Sequence, residues 1–123
     1  MPSLQRWLMH RQQQLQGGFN GRIEKAEDVC YSFWCGASAQ ILDMHKHVSV
    51  ADDVSWLLQC QTSVGGISKT PGDVPDVMHS YLALAALAMH GPEGDTRIVK
   101  LLKPIDPRLN ITLDSLAWLR QHL

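Results

Sequence analysis

Apolar residues recur at intervals of three and four along much of the chain, which is the period of an α-helix with one buried face. Phe33, Ala37, Ile41 and Met44 are expected on one such face. The same spacing joins two further sets, Leu4, Trp7, Leu8 and Arg11, then Val50, Val54, Leu57, Leu58 and Gln61. Residues 81–89 are apolar nearly all round, which predicts a helix buried on most sides.

The pattern changes beyond Gly91 and Pro92. Residues 103–107 predict an extended segment because they contain two prolines, and residues 112–123 predict a last amphipathic helix. No run of alternating polar and apolar residues predicts a strand of useful length. The chain is therefore predicted to be all-α, built from helical hairpins.

An internal repeat organises these helices. The pairs Gly17–Gly18 and Gly65–Gly66 are 48 residues apart, and so are Asp28 and Asp76. Each unit is predicted to contain an apolar helix, a Gly–Gly turn, a charged loop and an aspartate that opens a second helix. The glycines are expected to supply positive φ at the end of the first helix. Repeat units of about 4–48 and 50–90, followed by a tail of 91–123, define the predicted organisation.

Stacked repeats usually need about three units to bury a continuous core. We therefore expect this chain to be a piece of a longer helical solenoid or closed helical barrel.

Composition excludes some classes of function. The chain has 123 residues, 45% of them hydrophobic and 19% charged, with a net charge of −1, so no basic surface predicts nucleic-acid binding. No apolar run is long enough for a membrane span. An odd number of cysteines without a disulfide spacing predicts a reduced, intracellular protein. Cys35 and Cys60 are interpreted as core residues. Surface positions are expected for the histidines without metal-ligand spacing, His10, His45, His47, His90 and His122.

Asp28, Cys30 and His79 form the best candidate site. The repeat places His79 one residue past the counterpart of Cys30, so both units present these side chains at the start of a second helix. Oxygen, sulfur and nitrogen ligands with a fourth position free are typical of a catalytic zinc site. A purely structural interpretation stays open, with Asp28 as an N-cap, Cys30 as a buried hydrophobe and His79 as a hydrogen-bonded core residue.

Charged and aromatic residues surround this candidate site. Arg22, Lys25 and Lys69 lie in the two loops before the second helices and could bind an anion such as a diphosphate, with a hydroxyl from Tyr31. The alternative is solvated loop charge paired with neighbouring carboxylates. Trp34 suits the wall of an apolar ligand site, whereas its neighbour Phe33 is interpreted as core.

Two long motifs carry a resemblance to a known family. The run Gly17 to Arg22, with Lys25 and the run Asp28 to Trp34, is similar to the signature loop of protein prenyltransferase β subunits. The run Gly65 to Asp73, followed by Asp76 and His79, resembles the next loop of that family. The match covers roughly residues 4 to 90.

The resemblance implies an α–α barrel (toroid) of which this chain is the carboxy-terminal portion, paired with a helical α subunit in a cytoplasmic heterodimer. It implies transfer of an isoprenoid from its diphosphate to the cysteine of a C-terminal C-a-a-X sequence. Asp28, Cys30 and His79 match the zinc ligands of the family. Arg22, Lys25 and Tyr31 match its diphosphate-binding residues, and Trp34 matches an aromatic that lines the isoprenoid tunnel. Because the family's β subunit is much longer, the 123-residue chain alone is expected to be inactive.

Lys69 narrows the resemblance to the type I geranylgeranyl-transferring class. Farnesyl and Rab-type relatives have an aspartate at this position, and in the farnesyl enzyme it helps to hold magnesium. A lysine implies transfer of geranylgeranyl from its diphosphate without magnesium, to C-a-a-X proteins such as Rho-type small GTPases. The Rab-type enzyme, the farnesyl enzyme and a truncated, non-catalytic product that binds the α subunit remain alternatives. A metal-free helical-barrel relative is disfavoured because it lacks the Asp28, Cys30 and His79 arrangement.

Overall fold

A computed structural model describes residues 2–94 and 97–123. Its helices are α1 (Ser3–Met9), α2 (Val29–Ile41), α3 (Val50–Gln59), α4 (Val77–His90), α5 (Arg97–Leu101) and α6 (Leu113–His122). Single 3₁₀ turns occupy His45–His47 and Gly91–Gly94. The mostly helical prediction is confirmed. Within the described residues, every helix is too short or too polar to cross a membrane.

A small antiparallel sheet was missed by the sequence pattern. Strand β1 (Ile105–Asp106) pairs with β2 (Ile111–Thr112), with Ile105 opposite Thr112. Two residues per strand are too few to show an alternating pattern. The predicted last helix is present as α6, but within it only Leu116 is buried, so its apolar residues are not docked on the core.

Aspartates begin both second helices, as the repeat predicts. The Asp28 carboxylate accepts a hydrogen bond from the Cys30 amide at 2.9 Å, and the Asp76 carboxylate accepts one from the His79 amide at 2.9 Å. Each bond satisfies one of the amide groups that the first turn of a helix leaves without a partner. Both helix starts are therefore capped by an aspartate, although Asp28 caps the amide two residues on and Asp76 the amide three residues on.

The core lies where α2, α3 and α4 meet. α2 packs along α4, and Gly36 of α2 leaves room for the end of the Met89 side chain, since an added Cβ would lie 2.8 Å from Met89 Cε. A smaller cluster under α1 and the first loop contains Leu8, Phe19, Cys35, Ala39 and Met44. Both Cys35 and Cys60 are buried, as predicted.

One predicted apolar face is only partly correct. Phe33, Ala37 and Met44 are buried, but Ile41 is 46% exposed. Eight residues of α-helix turn about 80° past two full turns, so Ile41 points away from the side that Phe33 packs on. Tyr81 and Leu84 are likewise exposed within residues 81–89, which are otherwise buried.

The Gly–Gly pairs do not cap helices, contrary to the prediction. α1 and α3 end at Met9 and Gln59, and their C-caps are His10 and Cys60, well before the glycines. Gly17 has a φ of 90° and Gly65 a φ of 94°, so both need the left-handed conformation that glycine tolerates. The first pair also allows close packing of α3, because a Cβ on Gly18 would lie 2.5 Å from the Trp56 ring.

His90 is buried, and its predicted surface position is wrong. Its Nε2 lies 2.7 Å from Asp53 Oδ2, and Ser32 Oγ donates to Asp53 Oδ1 at 2.7 Å. Asp53 is fully buried, so its carboxylate is stabilised only by such partners. This polar network joins α2, α3 and α4, and the sequence hid it because its members are 21 and 37 residues apart.

Candidate metal centre and anion pocket

The structure brings Asp28, Cys30 and His79 together although His79 is in the other repeat unit. One ligand atom from each lies within 4.8 Å of the other two. Asp28 Oδ1 and His79 Nε2 are 3.6 Å apart. The side-by-side packing of α2 and α4 produces this cluster, because both helices begin at the same end of the pair.

Asp28 serves two purposes at once. Its Oδ1 accepts the hydrogen bond that caps α2 and also faces the His79 ring. The structural interpretation of this aspartate and its interpretation as a ligand are therefore compatible. Capping fixes the carboxylate in place before any cation binds, which lowers the entropy cost of assembling a site.

Asp76 is a candidate site residue that sequence reasoning missed. Its Oδ2 is hydrogen-bonded to His79 Nδ1, while its Oδ1 caps α4 through the His79 amide. With Nδ1–H donated to the carboxylate, the lone pair of Nε2 points toward Asp28 and Cys30. Histidine ligands of metals are commonly oriented by a carboxylate in this way. The available signal was an aspartate three residues before a histidine at a helix start.

The electrostatics of the cluster favour a cation. Burial, and then the neighbouring Asp28 carboxylate, raises the pKa of the Cys30 thiol to about 12. The hydrogen bond from the His79 amide, and then that from its ring, lowers the pKa of Asp76. Cys30 is therefore a neutral thiol at neutral pH, next to the carboxylates of Asp28 and Asp76. Their negative charge adds to the rise in the pKa of the thiol, and the same charge attracts a metal ion.

The ligand atoms fit zinc by chemistry and by spacing. A tetrahedral zinc ion with bonds of about 2.0 to 2.3 Å places its ligand atoms roughly 3.3 to 3.8 Å apart. The separation of 3.6 Å between Asp28 Oδ1 and His79 Nε2 matches this range. The 4.8 Å limit for the whole cluster requires the other ligand atoms to move by about 1 Å at most. Three protein ligands leave a fourth position, as in catalytic zinc sites.

A pocket of about 400 Å³ adjoins the cluster, and its lining contains three cations together with the carboxylates of Glu27, Asp28 and Asp73. Arg22 and Lys25 reach it from the first loop, Lys69 from the second, and Tyr31 from α2. Within residues 2–94 and 97–123, the three cations form no salt bridge, so pairing with loop carboxylates is not observed. Asp28 lines this pocket as well, which makes the metal cluster and the anion pocket one continuous site.

Buried polar residues hold the two loops that carry the cations. Asn20 donates from Nδ2 to the Lys25 carbonyl at 3.0 Å, and Ser68 Oγ donates to the Thr70 carbonyl at 2.7 Å or the Cys60 carbonyl at 3.0 Å. The second loop is also joined to α2, because the Val29 amide donates to the carbonyl of Lys69 at 3.2 Å. The cations are thus on loops fixed to the metal-bearing helix.

Trp34 lies outside the anion pocket. Its ring is 46% exposed and contacts the Tyr31 ring edge to face, with 5.2 Å between centroids. It lines an apolar groove of about 420 Å³ between α1 and α2. Tyr31 therefore connects a cationic pocket with an apolar surface, whereas Phe33 is buried as expected.

Comparison with known proteins defines the class. The prenyltransferase alpha-alpha toroid domain matches residues 1–111. Geranylgeranyl transferase type-1 subunit beta of Arabidopsis thaliana is 35% identical over 107 residues, 87% of this chain and 26% of that protein. The type-1 β subunit of Dictyostelium discoideum is 41% identical over 83 residues, 67% of this chain and 23% of that protein. The type-2 β subunit of Saccharomyces cerevisiae is 36% identical over 102 residues, 82% of this chain and 29% of that protein.

A solved structure agrees in fold. Candida albicans protein geranylgeranyltransferase-I complexed with GGPP superposes with a TM-score of 0.77 and 34% sequence identity. The match covers 94% of this chain and 36% of that chain. The chain therefore belongs to the prenyltransferase α–α toroid family and is similar to type I geranylgeranyltransferase β subunits. It spans about a quarter of the length of the curated relatives that it matches.

Proposed function

We propose that this chain carries the metal and diphosphate sites of a type I protein geranylgeranyltransferase β subunit. The reaction is transfer of geranylgeranyl from its diphosphate to the cysteine of a C-a-a-X protein, in a heterodimer with an α subunit. One observation supports it most: Asp28 belongs both to the candidate metal cluster and to the cationic pocket. A substrate thiol held at the metal site would then lie next to the pocket that receives the leaving group.

Asp28, Cys30 and His79 would hold the zinc ion. When bound, zinc supplies a Lewis-acid position that keeps a substrate thiol deprotonated near neutral pH. Asp76 would keep His79 in the tautomer whose Nε2 is free, because its carboxylate accepts a hydrogen bond from Nδ1–H. The capping bond to the Cys30 amide holds Asp28 at the same helix start.

Arg22, Lys25 and Lys69 would receive the diphosphate. Negative charge grows on the leaving group as the bond to the first isoprenoid carbon breaks, and fixed cations stabilise that charge. The Tyr31 hydroxyl adds a donor at the wall shared with Trp34. Trp34 offers an apolar surface to the isoprenoid.

Lys69 supports the type I assignment and magnesium independence. Its carbonyl is fixed by the Val29 amide, so its ammonium group extends from an anchored backbone into the pocket. An ammonium group there neutralises diphosphate charge, which a metal ion neutralises in enzymes that use one. It also repels a divalent cation. The charge of Lys69 leads to the first testable prediction, which concerns magnesium dependence.

The test is turnover of a C-a-a-L peptide by the β subunit that contains this sequence, assembled with its α subunit, with and without magnesium. We expect the wild type to be indifferent to magnesium and Lys69→Asp to become dependent on it, because the new carboxylate removes one cation and provides a ligand. Lys46→Asp is the matched control, since it makes the same charge change at an exposed position outside the pocket. Strong magnesium dependence of the wild type, or equal behaviour of Lys69→Asp and Lys46→Asp, would contradict the type I assignment.

A Rab-type enzyme is the second candidate, because the type-2 β subunit of Saccharomyces cerevisiae matches 82% of the chain at 36% identity. The same assay separates the two. Modification of a Rab protein in place of the C-a-a-L peptide would favour the type 2 function.

A further inference from the structure

We propose that Gly21 positions the Tyr31 hydroxyl in the cationic pocket, because the missing side chain at position 21 leaves the space that the phenol occupies. Gly21 and Tyr31 both line that pocket, together with Arg22. The inference rests on the proposed diphosphate function of the pocket. It assigns a role to a residue that has no functional group of its own and acts through Tyr31, so Gly21 is a positioning residue.

The contact between Gly21 and Tyr31 is close. A Cβ on Gly21 would lie 2.1 Å from Cζ of Tyr31 and 2.4 Å from its hydroxyl oxygen. Ordinary van der Waals contact begins at 3.4 Å, so a methyl group at position 21 has to displace the hydroxyl end of the phenol by about 1 Å. The overlap thus falls on the part of the ring that carries the donor.

Backbone conformation does not explain the glycine. Gly17 has a φ of 90°, whereas Gly21 lies outside the positive range. The counterpart of Gly21 in the second unit is Lys69, so this position of the loop accommodates a side chain. The counterpart of Tyr31 is His79, whose ring belongs to the metal cluster. Glycine is therefore found in the unit whose ring lies against the loop.

A second contact confines the Tyr31 ring. Trp34 meets it edge to face, with 5.2 Å between centroids and 80° between planes. The Tyr31 amide donates to the Asp28 carbonyl at 2.9 Å, which fixes the backbone at the start of the helix. Within residues 2–94 and 97–123 the Tyr31 hydroxyl has no hydrogen-bond partner, so it is available to an anion in the pocket. Displacing the phenol disturbs both the Trp34 contact and the position of this donor.

The test uses the β subunit that contains this sequence, assembled with its α subunit. It measures geranylgeranyl transfer to a C-a-a-L peptide and, separately, binding of inorganic pyrophosphate by calorimetry. Gly21→Ala is made on the wild-type background and on a Tyr31→Ala background, which has no ring to displace. Gly36→Ala is the matched control, because its added Cβ meets only the end of the flexible Met89 side chain, outside the pocket.

On the wild-type background we expect Gly21→Ala to lower kcat about tenfold or more, because an oriented donor to the leaving group is lost. Pyrophosphate binding should weaken in the same variant. On the Tyr31→Ala background the same substitution should change kcat and pyrophosphate affinity by less than about twofold, because two residues that act through one contact are not additive. Gly36→Ala should behave as the wild type in both measurements.

An equal loss on both backgrounds would overturn the inference, because the alanine would then act through the loop itself. Wild-type behaviour of Gly21→Ala would overturn it while leaving the proposed function in place. A wild-type enzyme that transfers no geranylgeranyl would contradict the proposed function, but weaker pyrophosphate binding by Gly21→Ala on the wild-type background alone would still support the role of Gly21. Absence of pyrophosphate binding by the wild type would overturn it.

Discussion

The capping aspartates at the starts of α2 and α4 have one structural role but two different chemical roles. Asp28 and Asp76 occupy equivalent positions and cap their helices with hydrogen bonds of equal length. Asp28 faces Nε2 of His79 as a candidate ligand, whereas Asp76 binds Nδ1 of the same ring and orients it. Equal backbone roles have therefore not produced equal chemistry, because the two carboxylates contact opposite sides of one imidazole.

The two loops before these helices differ in the same manner. Buried positions correspond in kind: Phe19 and Ile67 are apolar, and Asn20 and Ser68 are hydrogen-bonded polar residues. Exposed positions diverge, since the counterpart of Lys69 is Gly21. A Cβ on Gly21 would lie 2.1 Å from the Tyr31 ring, so at this position the first loop makes room for an aromatic and the second supplies a cation. The buried positions of the two loops are alike, whereas their exposed positions supply different chemical groups.

The largest effect is expected on zinc binding, when a ligand residue and its counterpart in the other repeat unit are each substituted. Cys30→Ala and His79→Ala should each abolish stoichiometric zinc binding, because two remaining ligands cannot complete the tetrahedral set. Met78→Ala, at the counterpart of Cys30, should leave zinc bound, since Met78 is outside the cluster. Metal content of the purified β subunit is the measurement. Zinc retained in both ligand variants, or lost equally in Met78→Ala, would show that the site lies elsewhere.

A large effect on stability is expected from the polar network that Asp53 and His90 of the second unit form with Ser32 of the first. Asp53→Ala leaves Ser32 and His90 buried without their acceptor and should lower the free energy of unfolding by about 3 to 5 kcal/mol. The exposed neighbour provides the control, and Asp52→Ala should cost about 1 kcal/mol or less. Urea unfolding measures both. Similar costs for the two variants would mean that the network contributes little to stability.

The smallest effect is expected from substitutions that keep helix capping but change zinc binding. Asparagine caps helices about as well as aspartate, so Asp28→Asn and Asp76→Asn should leave the urea midpoint nearly unchanged. Asp76→Asn should weaken zinc binding about 10- to 100-fold, the usual cost of losing an orienting partner, and Asp28→Asn should weaken it more because a charged ligand is lost. Competition with a chromophoric chelator gives both affinities. A greater loss in Asp76→Asn would reverse the roles assigned to the two aspartates.

The sequence was most informative where a local rule and the repeat agreed. The N-capping aspartates, the burial of Phe33 and the apolar character of α4 could be predicted from spacing alone. Ile41 was misjudged because an eight-residue interval does not return to the same side of a helix. His90 was misjudged because its partner Asp53 is 37 residues away and nothing local distinguishes it from a surface histidine.

Sequence by itself determined the helical hairpins, their 48-residue period and the set of residues that could hold a metal and an anion, because propensity, capping and periodicity are local properties. Only the tertiary structure decided that Asp28, Cys30 and His79 converge, that Asp76 orients the histidine, and that the cations of two loops line one pocket. Those outcomes depend on how closely α2 and α4 approach. That approach is set by packing among core residues of α2, α3 and α4, which are distant in the chain and which no local pattern encodes.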